Sequence, residues 1–334
     1  MNVTIVGAGA IGGLMAARLA ANVPEVKLTL LARGQTLSAL QANGLQLFEP
    51  DADRSGEHAK VFDAPVSASD DAGAIGEQDL VVISVKYNAM SSLASQLQPL
   101  IGPNTIVLSA MNGVPWWFTT GLEGAPANLA LNAVDPGGSV SQAFPAGQVL
   151  GCVVHLAGST RAPGQIQRNL GNRLIFGEPS RQLTDRLTRI ADLFKQAKFD
   201  VDVSDNIHAD IWFKLWGNMT MNPISAITGA WSDTILQDPL LRGYLSAVMA
   251  EAAQVGAKIG LPITTEPESR HQVTEKLGRF KTSMLQDVEA GKPLELDALV
   301  TVVREIATQV GVPTPHLDSL LGLSRVFAKS HQLN

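Results

Sequence analysis

The chain has 334 residues, of which 45% are hydrophobic and 17% are charged, and its formal net charge is −6. This length exceeds the roughly 100–200 residues that one hydrophobic core usually organises, so the sequence predicts two domains. The acidic balance provides no overall basic face for nucleic acid or anionic lipid, and a small-molecule partner is favoured instead.

The sequence also indicates the compartment in which the protein works. Its longest apolar stretches, such as residues 80–85, are too short to span a bilayer, and its N-terminus lacks the features of a signal peptide. The single cysteine, Cys152, can form no intrachain disulfide, which is typical of a reducing compartment. The six histidines lack the spacing of metal ligands. We therefore expect a cytoplasmic protein with no membrane partner and no metal.

In the first two thirds of the chain, short apolar runs alternate with helical periods. Strands are predicted at 3–6, 26–31, 80–85, 105–109 and 149–156, and helices at 10–22 and 90–100. This alternation is typical of a parallel sheet built from βαβ units. Residues 45–48 and 59–66 are harder to assign, and residues 51–56 between them are expected to form an exposed turn or loop.

After about Asn206 the pattern changes to one helix after another. Helices are predicted at 210–227, 240–259, 268–290 and 294–310, followed by one more after Pro315. The sequence therefore predicts an α/β N-terminal domain over residues 1–205 and an all-α C-terminal domain over residues 206–334.

The strongest local motif is Gly7-Ala8-Gly9-Ala10-Ile11-Gly12, which follows a predicted strand and opens a predicted helix. In a dinucleotide-binding turn, the first glycine permits the tight turn and the second lets the backbone approach the pyrophosphate. The third allows close packing of the helix on the strand, with the phosphates at the helix N-terminus. A tight turn without a ligand is the alternative. The position of the second strand favours binding, and the N-terminal domain is predicted to be of the Rossmann type.

The end of the second predicted strand distinguishes between the two nicotinamide cofactors. An NAD enzyme usually carries Asp or Glu there, which binds the ribose 2′-hydroxyl. Here no carboxylate occurs between Glu25 and Glu49, and Arg33 follows the strand. Because a guanidinium can bind a 2′-phosphate with two hydrogen bonds, NADPH is the expected cofactor. An ordinary solvated arginine at a strand end is the alternative.

Polar residues at two more strand ends and along one helix predict the substrate site. Lys86 and Asn112-Gly113 each follow a predicted strand, and open α/β sheets bind ligands at the carboxyl ends of their strands. Either one can instead have a purely structural role. Lys214, Asn218 and Asn222 have the four-residue spacing that places them on one helix face. Their surroundings are rich in Trp, Phe and Met, which favours a polar stripe lining a cleft over a solvated face. A polar rim beside a core stripe is the alternative.

Together these residues resemble the ketopantoate reductase (2-dehydropantoate 2-reductase) family along nearly the whole chain. The resemblance rests on five separated motifs: Gly7 to Gly12, Val85-Lys86, Asn112-Gly113, Trp212-Phe213-Lys214-Leu215 with Asn218 and Asn222-Pro223, and Ser283 to Asp287 followed by Glu295-Leu296-Asp297. It implies an NADP-dependent oxidoreductase of pantothenate biosynthesis, acting on CH-OH donors. Such an enzyme reduces ketopantoate to pantoate by hydride transfer from NADPH, with no metal and no covalent intermediate.

The resemblance also implies a role for each site residue. Lys214 takes the catalytic position as general acid, and Glu295 takes the position of the substrate-binding carboxylate. The other implied substrate contacts are Asn112, Asn218, Asn222 and Ser283. The implied cofactor contacts are Gly7, Ala8, Gly9, Ala10, Ile11, Gly12, Arg33, Lys86 and Asn112. An exposed carboxylate that favours the helix dipole is the alternative for Glu295.

Two features leave the substrate open. Trp116-Trp117-Phe118 places a bulky aromatic run beside the expected site, where it can reshape the pocket, and residues 160–173 look like an extended insertion or hairpin. The alternatives are a related NADPH reductase of another 2-keto acid or an opine-like product, and an NADPH-binding sensor without turnover. The expected partner is a small 2-keto acid, and the helical domain can also bury a homodimer interface.

Overall fold

The structure is a computed structural model and describes residues 1–50, 57–126 and 129–334. The loop expected at residues 51–56 lies outside the described residues. The chain forms two compact units. The first unit comprises Met1–Met111 and Ser139–Ile207, and the second unit comprises Asn112–Gly138 and His208–Asn334.

The first unit is built on one mixed sheet. Its described strands are β1 (Asn2–Val6), β2 (Lys27–Leu31), β3 (Leu45–Pro50), β4 (His58–Ala64), β5 (Ser67–Ser69), β6 (Leu80–Ile83), β7 (Ile106–Ser109), β8 (Val149–Ala162), β9 (Gln165–Gly177) and β10 (Asp200–Ser204). Their order is β4-β3-β9-β8-β7-β6-β1-β2-β5, and β10 pairs with β9. The run β5-β2-β1-β6-β7-β8 is parallel throughout. This is the doubly wound order of a Rossmann-type sheet, as predicted.

The described residues of the first unit also form α-helices. They are α1 (Ala10–Asn22), α2 (Gly34–Asn43), α3 (Ala72–Ile75), α4 (Met90–Leu93), α5 (Ser139–Ala143) and α6 (Asp185–Gln196). Leu14 and Met15 of α1 share one buried core with Ile190 and Phe194 of α6 and with the strands. The predicted helix at 90–100 is wrong beyond α4. Turns follow at residues 94–97, and a 3-10 turn at Gln98–Leu100 contains Pro99, which has no N–H for a helical hydrogen bond.

The sheet has a switch point at β1, since β2 lies on one side of it and β6 on the other. The carboxyl ends of these strands are level, because Val6 pairs with both Leu31 and Ile83, and Ile83 pairs with Ser109. Open α/β sheets bind ligands at such a point. The glycine motif follows β1 and Lys86 follows β6, so both lie at the switch point.

The segment 160–173 belongs to a long antiparallel hairpin formed by β8 and β9. The predicted strand at 149–156 therefore continues to Ala162. On its other edge β9 pairs in parallel with β3 and β10. The predicted parallel pairing is confirmed for the five strands that the sequence predicts, and one of the two alternatives for residues 160–173, a hairpin, is confirmed by the antiparallel β8–β9 pair. The β3–β4 pair, in the segments that the sequence left unassigned, is also antiparallel.

The second unit is mostly helical, which confirms the predicted fold class. Its helices are α7 (Ile207–Thr228, whose first residue lies in the first unit), α8 (Ser232–Gln237), α9 (Pro239–Lys258), α10 (Pro267–Lys276), α11 (Ser283–Glu289), α12 (Val302–Val310) and α13 (Pro315–Ser330). A π-helical turn at Asp297–Thr301 leads into α12. Trp216 of α7 is buried and donates a 2.6 Å hydrogen bond to the Met249 carbonyl of α9. Within the described residues, every helix is too short or too polar to cross a membrane.

The single helix predicted at 268–290 is wrong. The structure has two helices there, α10 and α11. Gly278 adopts a φ of +73°, which ends helical geometry, and the Thr282 side chain then caps α11 by accepting a hydrogen bond from the Leu285 N–H. Because the helical periodicity of the sequence continues across the break, the sequence predicts one helix there.

Residues 112–138 belong to the second unit although they precede β8 in the chain. The Phe118 ring stacks on Trp212 of α7 with centroids 6.0 Å apart. The Glu305 carboxylate of α12 accepts a 2.8 Å hydrogen bond from the Asn132 N–H. The sequence prediction places a single domain boundary between residues 205 and 206, so it assigns this segment to the N-terminal domain. The contacts with α7 and α12 explain why the structure groups the segment with the helical unit instead. The assignment of a cofactor domain to residues 1–205 and of a substrate domain to residues 206–334 stays a prediction.

An ion-pair cluster joins α1 to the sheet of the first unit. Glu49 of β3 accepts hydrogen bonds from Arg18 Nε at 2.8 Å and from Arg168 Nη2 at 3.1 Å. Arg18 also donates to the Lys198 carbonyl at 2.8 Å and to the Asn172 side chain. Burial by itself raises the pKa of Glu49, but the hydrogen bonds and charges of the two arginines outweigh it. The pKa of Glu49 therefore lies below its ordinary value of 4.5.

We expect Glu49→Gln to destabilise the fold by about 3 kcal/mol at neutral pH, because both arginines lose their carboxylate. Since the pKa is lower in the folded state, the carboxylate stabilises the fold above pH 4.5 and loses this effect as the pH falls through the folded-state pKa. Urea unfolding at about pH 7 and about pH 3 should show a large difference between the proteins at the higher pH and a smaller one at the lower pH.

Asp202→Asn is the matched control, because it removes a carboxylate from an exposed pair with Arg173. It should leave stability almost unchanged. A Glu49→Gln variant that is equally destabilised at both pH values would contradict the prediction.

Candidate active site

The turn after β1 has the geometry that the glycine motif predicts. Gly7 adopts a φ of +96°, and a Cβ there would lie 2.8 Å from Val85 Cγ1. A Cβ on Gly12 would lie 2.0 Å from the Gly7 carbonyl oxygen and 2.1 Å from Ser84 Oγ. Only glycine fits at these two positions, and α1 therefore begins in direct contact with the ends of β1 and β6.

Gly9 leaves open space at the N-terminus of α1. It is the N-cap residue, it has no capping side chain, and the first turn of the helix carries no acidic residue. A Cβ on Gly9 would meet no described atom within 4 Å. Backbone N–H groups and the helix dipole attract an anion at such a point. This space fits a dinucleotide whose pyrophosphate lies against the Gly9 backbone.

Ser84 positions this turn and is not among the site residues predicted from the sequence. Its hydroxyl donates to the carbonyl oxygens of Gly7 at 2.9 Å and Val6 at 3.1 Å. Its backbone N–H also donates to the Val6 carbonyl at 3.0 Å. Ser84 therefore ties the end of β6 to the glycine turn. The sequence does place Ser84 between the end of a predicted strand and Lys86, and this position could have marked it as a site residue.

Two cations follow the carboxyl ends of β2 and β6. Arg33 is exposed and forms the N-cap of α2, two residues beyond β2. Lys86 is half-buried and precedes a 3-10 turn at Tyr87–Ala89. Because β2 and β6 both flank β1, the two cations lie at the sheet edge that carries the glycine turn. An exposed guanidinium at this edge can bind a 2′-phosphate.

In the second unit, the predicted polar stripe lies along α7. Lys214 Nζ donates a 2.7 Å hydrogen bond to Asn112 Oδ1, and both side chains are half-buried. Asn222 is 6% exposed, and its Nδ2 lies 3.5 Å from Ser283 Oγ at the start of α11. Asn218 is half-buried between them on the helix. The structure thus brings Lys214 to Asn112 and Asn222 to Ser283.

The loop that carries Asn112 packs against the π-helical turn. Gly113 has a φ of +84°, and a Cβ there would lie 2.3 Å from the Ala298 carbonyl oxygen. The Val114 N–H donates to the same oxygen at 2.9 Å. Glu295 is half-buried in the segment that leads into this turn. Such turns are frequent at functional sites, and this one connects the Asn112 loop to the segment that carries Glu295.

The aromatic run 116–118 is part of the core of the second unit. Trp117 is 2% exposed and Phe118 is fully buried. The Trp117 ring meets His208 edge-on at 5.5 Å, and Phe118 stacks on Trp212. We infer that this run anchors the Asn112 segment on α7 by packing.

Chemically, the arrangement offers the Lys214 ammonium group together with amide and hydroxyl side chains. Lys214 can stabilise negative charge on a substrate oxygen and transfer a proton to it. Within residues 1–50, 57–126 and 129–334, no three His, Cys, Asp or Glu side chains group as metal ligands.

Comparison with known families identifies both parts of the chain. The family model described as Ketopantoate reductase PanE/ApbA matches residues 3–115, and the one described as Ketopantoate reductase PanE/ApbA C terminal matches residues 206–328. A 2-dehydropantoate 2-reductase from Mesorhizobium japonicum is 41% identical over 328 residues, which are 98% of each protein. These matches confirm the resemblance seen in the motifs.

Solved structures share the fold over the whole chain. A candidate ketopantoate reductase from Ralstonia solanacearum is 51% identical, with a TM-score of 0.92 over 100% of this chain and 99% of that one. A PanE/ApbA family ketopantoate reductase from Ralstonia eutropha is 26% identical, with a TM-score of 0.82 over 99% and 100%. D-mandelate dehydrogenase in complex with NADH is 19% identical, with a TM-score of 0.80 over 100% of both, and shows the fold alone.

We expect Gly9→Ala to weaken NADPH binding at least tenfold while leaving the melting temperature unchanged, because its Cβ enters the open space without touching the protein. Gly12→Ala is the matched control. Its Cβ would clash with the Gly7 carbonyl and Ser84, and should lower the melting temperature. NADPH fluorescence titration and thermal unfolding measure the two effects. Normal NADPH affinity in Gly9→Ala would overturn the placement of the pyrophosphate.

We expect Arg33→Ala to raise the KM for NADPH by about 10- to 100-fold, because one charged hydrogen-bonding group contributes about 1.5–3 kcal/mol. The KM for NADH should change little, since NADH has no 2′-phosphate. Steady-state kinetics with both cofactors measure the ratio. Equal losses with NADPH and NADH would exclude a 2′-phosphate role for Arg33.

Proposed function

The chain belongs to the ketopantoate reductase family, and on this premise we propose that it reduces 2-dehydropantoate (ketopantoate) to pantoate with NADPH. The observation that carries the proposal is the 2.7 Å hydrogen bond from Lys214 Nζ to Asn112 Oδ1. It holds a half-buried ammonium group on the polar stripe of α7. A sensor without turnover has no need of an ammonium held in this way.

Lys214 is the proposed general acid. NADPH, when bound, supplies the hydride from C4 of its nicotinamide ring. As the keto carbon accepts a hydride, negative charge develops on the keto oxygen. The Lys214 ammonium stabilises that charge and donates the proton that completes the hydroxyl group, which general acid catalysis makes worth about 10²- to 10⁴-fold in rate.

Asn112 positions the ammonium. Its Oδ1 accepts one of the three Lys214 protons and so restricts the rotation of a long, flexible side chain. The Asn112 loop is itself held by the hydrogen bond from Val114 to Ala298. The proton donor is therefore held by packed backbone rather than by a solvated loop.

The remaining polar residues position the substrate. Glu295 accepts a hydrogen bond from a substrate hydroxyl, and Asn218, Asn222 and Ser283 orient the other substrate oxygens. In the N-terminal domain, Arg33 and Lys86 bind the cofactor together with the backbone of the Gly7–Gly12 turn. These groups contribute orientation rather than bond making.

We also propose a cytoplasmic location and a homodimer that forms through the helical unit. The large apolar side chains Leu323 and Val326 of α13 are 59% and 67% exposed, which supports a contact with a second copy on this helix.

We expect Lys214→Ala to lower kcat with ketopantoate by about 10²- to 10⁴-fold with little change in NADPH affinity, because the proton donor is lost and the cofactor contacts remain. NADPH oxidation measures turnover, and fluorescence titration measures cofactor affinity. Lys258→Ala is the matched control, since it removes an exposed lysine of the same unit and should retain turnover. Full activity in Lys214→Ala would exclude the lysine as the acid.

A panel of 2-keto acids tests the substrate. The highest kcat/KM should belong to ketopantoate. Faster turnover of another 2-keto acid would replace the substrate and keep the chemistry. Tight NADPH binding with no turnover on any member of the panel would identify a sensor.

A further inference from the structure

Arg270 of α10 carries a guanidinium group that the proposed mechanism does not use. The residue is half-buried, and its Nε is buried with no hydrogen-bond partner among the described residues. Its Nη1 lies 3.5 Å from Thr274 Oγ1, one turn along the same helix. In the described part of the chain, no carboxylate lies within 4 Å of this guanidinium.

The neighbouring charges explain why Arg270 lacks a carboxylate partner. Glu268 and Glu275, on the same helix, both pair with Arg242 at 2.6 Å. Burial lowers the pKa of Arg270, and no opposite charge offsets that effect. Because arginine stays protonated in proteins, a partly buried positive charge remains uncompensated, which is unfavourable until an anion binds.

The guanidinium lies against α7 beside the proposed catalytic lysine. A Cβ on Gly217 would be 3.0 Å from Arg270 Nε, 3.0 Å from Nη2 and 3.2 Å from Cζ, so the guanidinium occupies the space that a side chain at position 217 would fill. Gly217 follows Lys214 by three residues and precedes Asn218. Residues three apart are neighbours on a helix surface. Arg270 therefore flanks the polar stripe on the Lys214 side.

We propose that Arg270 binds the carboxylate of the 2-keto acid substrate, an inference that rests on the proposed function. In a 2-keto acid the carboxylate is bonded directly to the keto carbon, so a substrate whose keto oxygen meets Lys214 carries its negative charge beside that lysine. A guanidinium matches a carboxylate with two parallel hydrogen bonds. Asn218, Asn222 and Ser283 are neutral donors, and Arg270 adds the positive charge that selects an acid over an uncharged carbonyl compound.

The test compares ketopantoate with ketopantoyl lactone, in which the carboxylate is closed into a neutral ring ester. Arg270→Gln should lower kcat/KM for ketopantoate by about 30- to 100-fold, mainly through KM, and change kcat/KM for the lactone by about twofold at most. Arg270→Lys keeps the positive charge but loses the planar group that makes two parallel hydrogen bonds. Its kcat/KM for ketopantoate should lie between those of the wild-type enzyme and the Gln variant. NADPH affinity should stay unchanged in both.

Two further variants separate substrate binding from a structural role. Gly217→Ala keeps every charge, but its Cβ displaces the guanidinium, so it should also raise the KM for ketopantoate without lowering the melting temperature. Arg279→Gln makes the same charge change at an arginine whose side chain is 63% exposed, and should leave the acid-to-lactone ratio unchanged. Equal losses on acid and lactone in Arg270→Gln would overturn the proposal and leave Arg270 a packing residue.

A binding measurement keeps this proposal separate from the proposed function. Failure of the wild-type enzyme to reduce ketopantoate would refute the proposed function, whatever Arg270 does. Calorimetric titration of the enzyme–NADPH complex with oxamate, an unreactive carboxylate analogue of a 2-keto acid, requires no turnover. Oxamate affinity at least tenfold weaker in Arg270→Gln would support the carboxylate site, and unchanged affinity would refute it.

Discussion

The first unit depends on the close approach of α1 to the carboxyl ends of β1 and β6. A helix can begin this near two strands only where side chains are missing, which is why Gly7 and Gly12 have no room for a Cβ. The Ser84 hydroxyl then fastens β6 to the turn through two carbonyl oxygens. The same packing leaves open space at Gly9, at the N-terminus of α1, where backbone N–H groups and the helix dipole can attract an anion.

In the second unit, a neutral amide restrains the long, flexible side chain of Lys214. The Asn112 amide oxygen accepts a hydrogen bond from the ammonium group and so limits the rotation of the lysine side chain. Asn112 can act in this way because the chain that follows β7 joins the helical unit. Buried aromatic contacts between Phe118 and Trp212 hold it there. Core packing and the contact between Lys214 and Asn112 are therefore coupled in this segment.

The two units also differ in whether their buried and half-buried arginines have carboxylate partners. Arg18 and Arg168 meet Glu49, so their charges are compensated within the protein and the cluster stabilises the fold. Arg270 lies against the bare backbone of Gly217 without a described carboxylate, and its burial is therefore unfavourable in the free protein. A bound anion would compensate this charge, which is why an unpaired arginine beside the proposed catalytic lysine bears on the choice of substrate.

Local patterns in the sequence determined the dinucleotide turn, the bounds of α1, the cation after β2 and the shared face of Lys214, Asn218 and Asn222, because these depend on residue type and on the period of one element. Tertiary structure alone decided which distant residues meet. It paired Ser84 with Gly7, Asn222 with Ser283 and Arg270 with Gly217, and it moved residues 112–138 into the helical unit. It also broke the predicted helix at 268–290 and made the outer strand pairs antiparallel. The physical reason is that periodicity reports the burial of one face of an element, whereas the partner of that face is selected by packing across the whole chain.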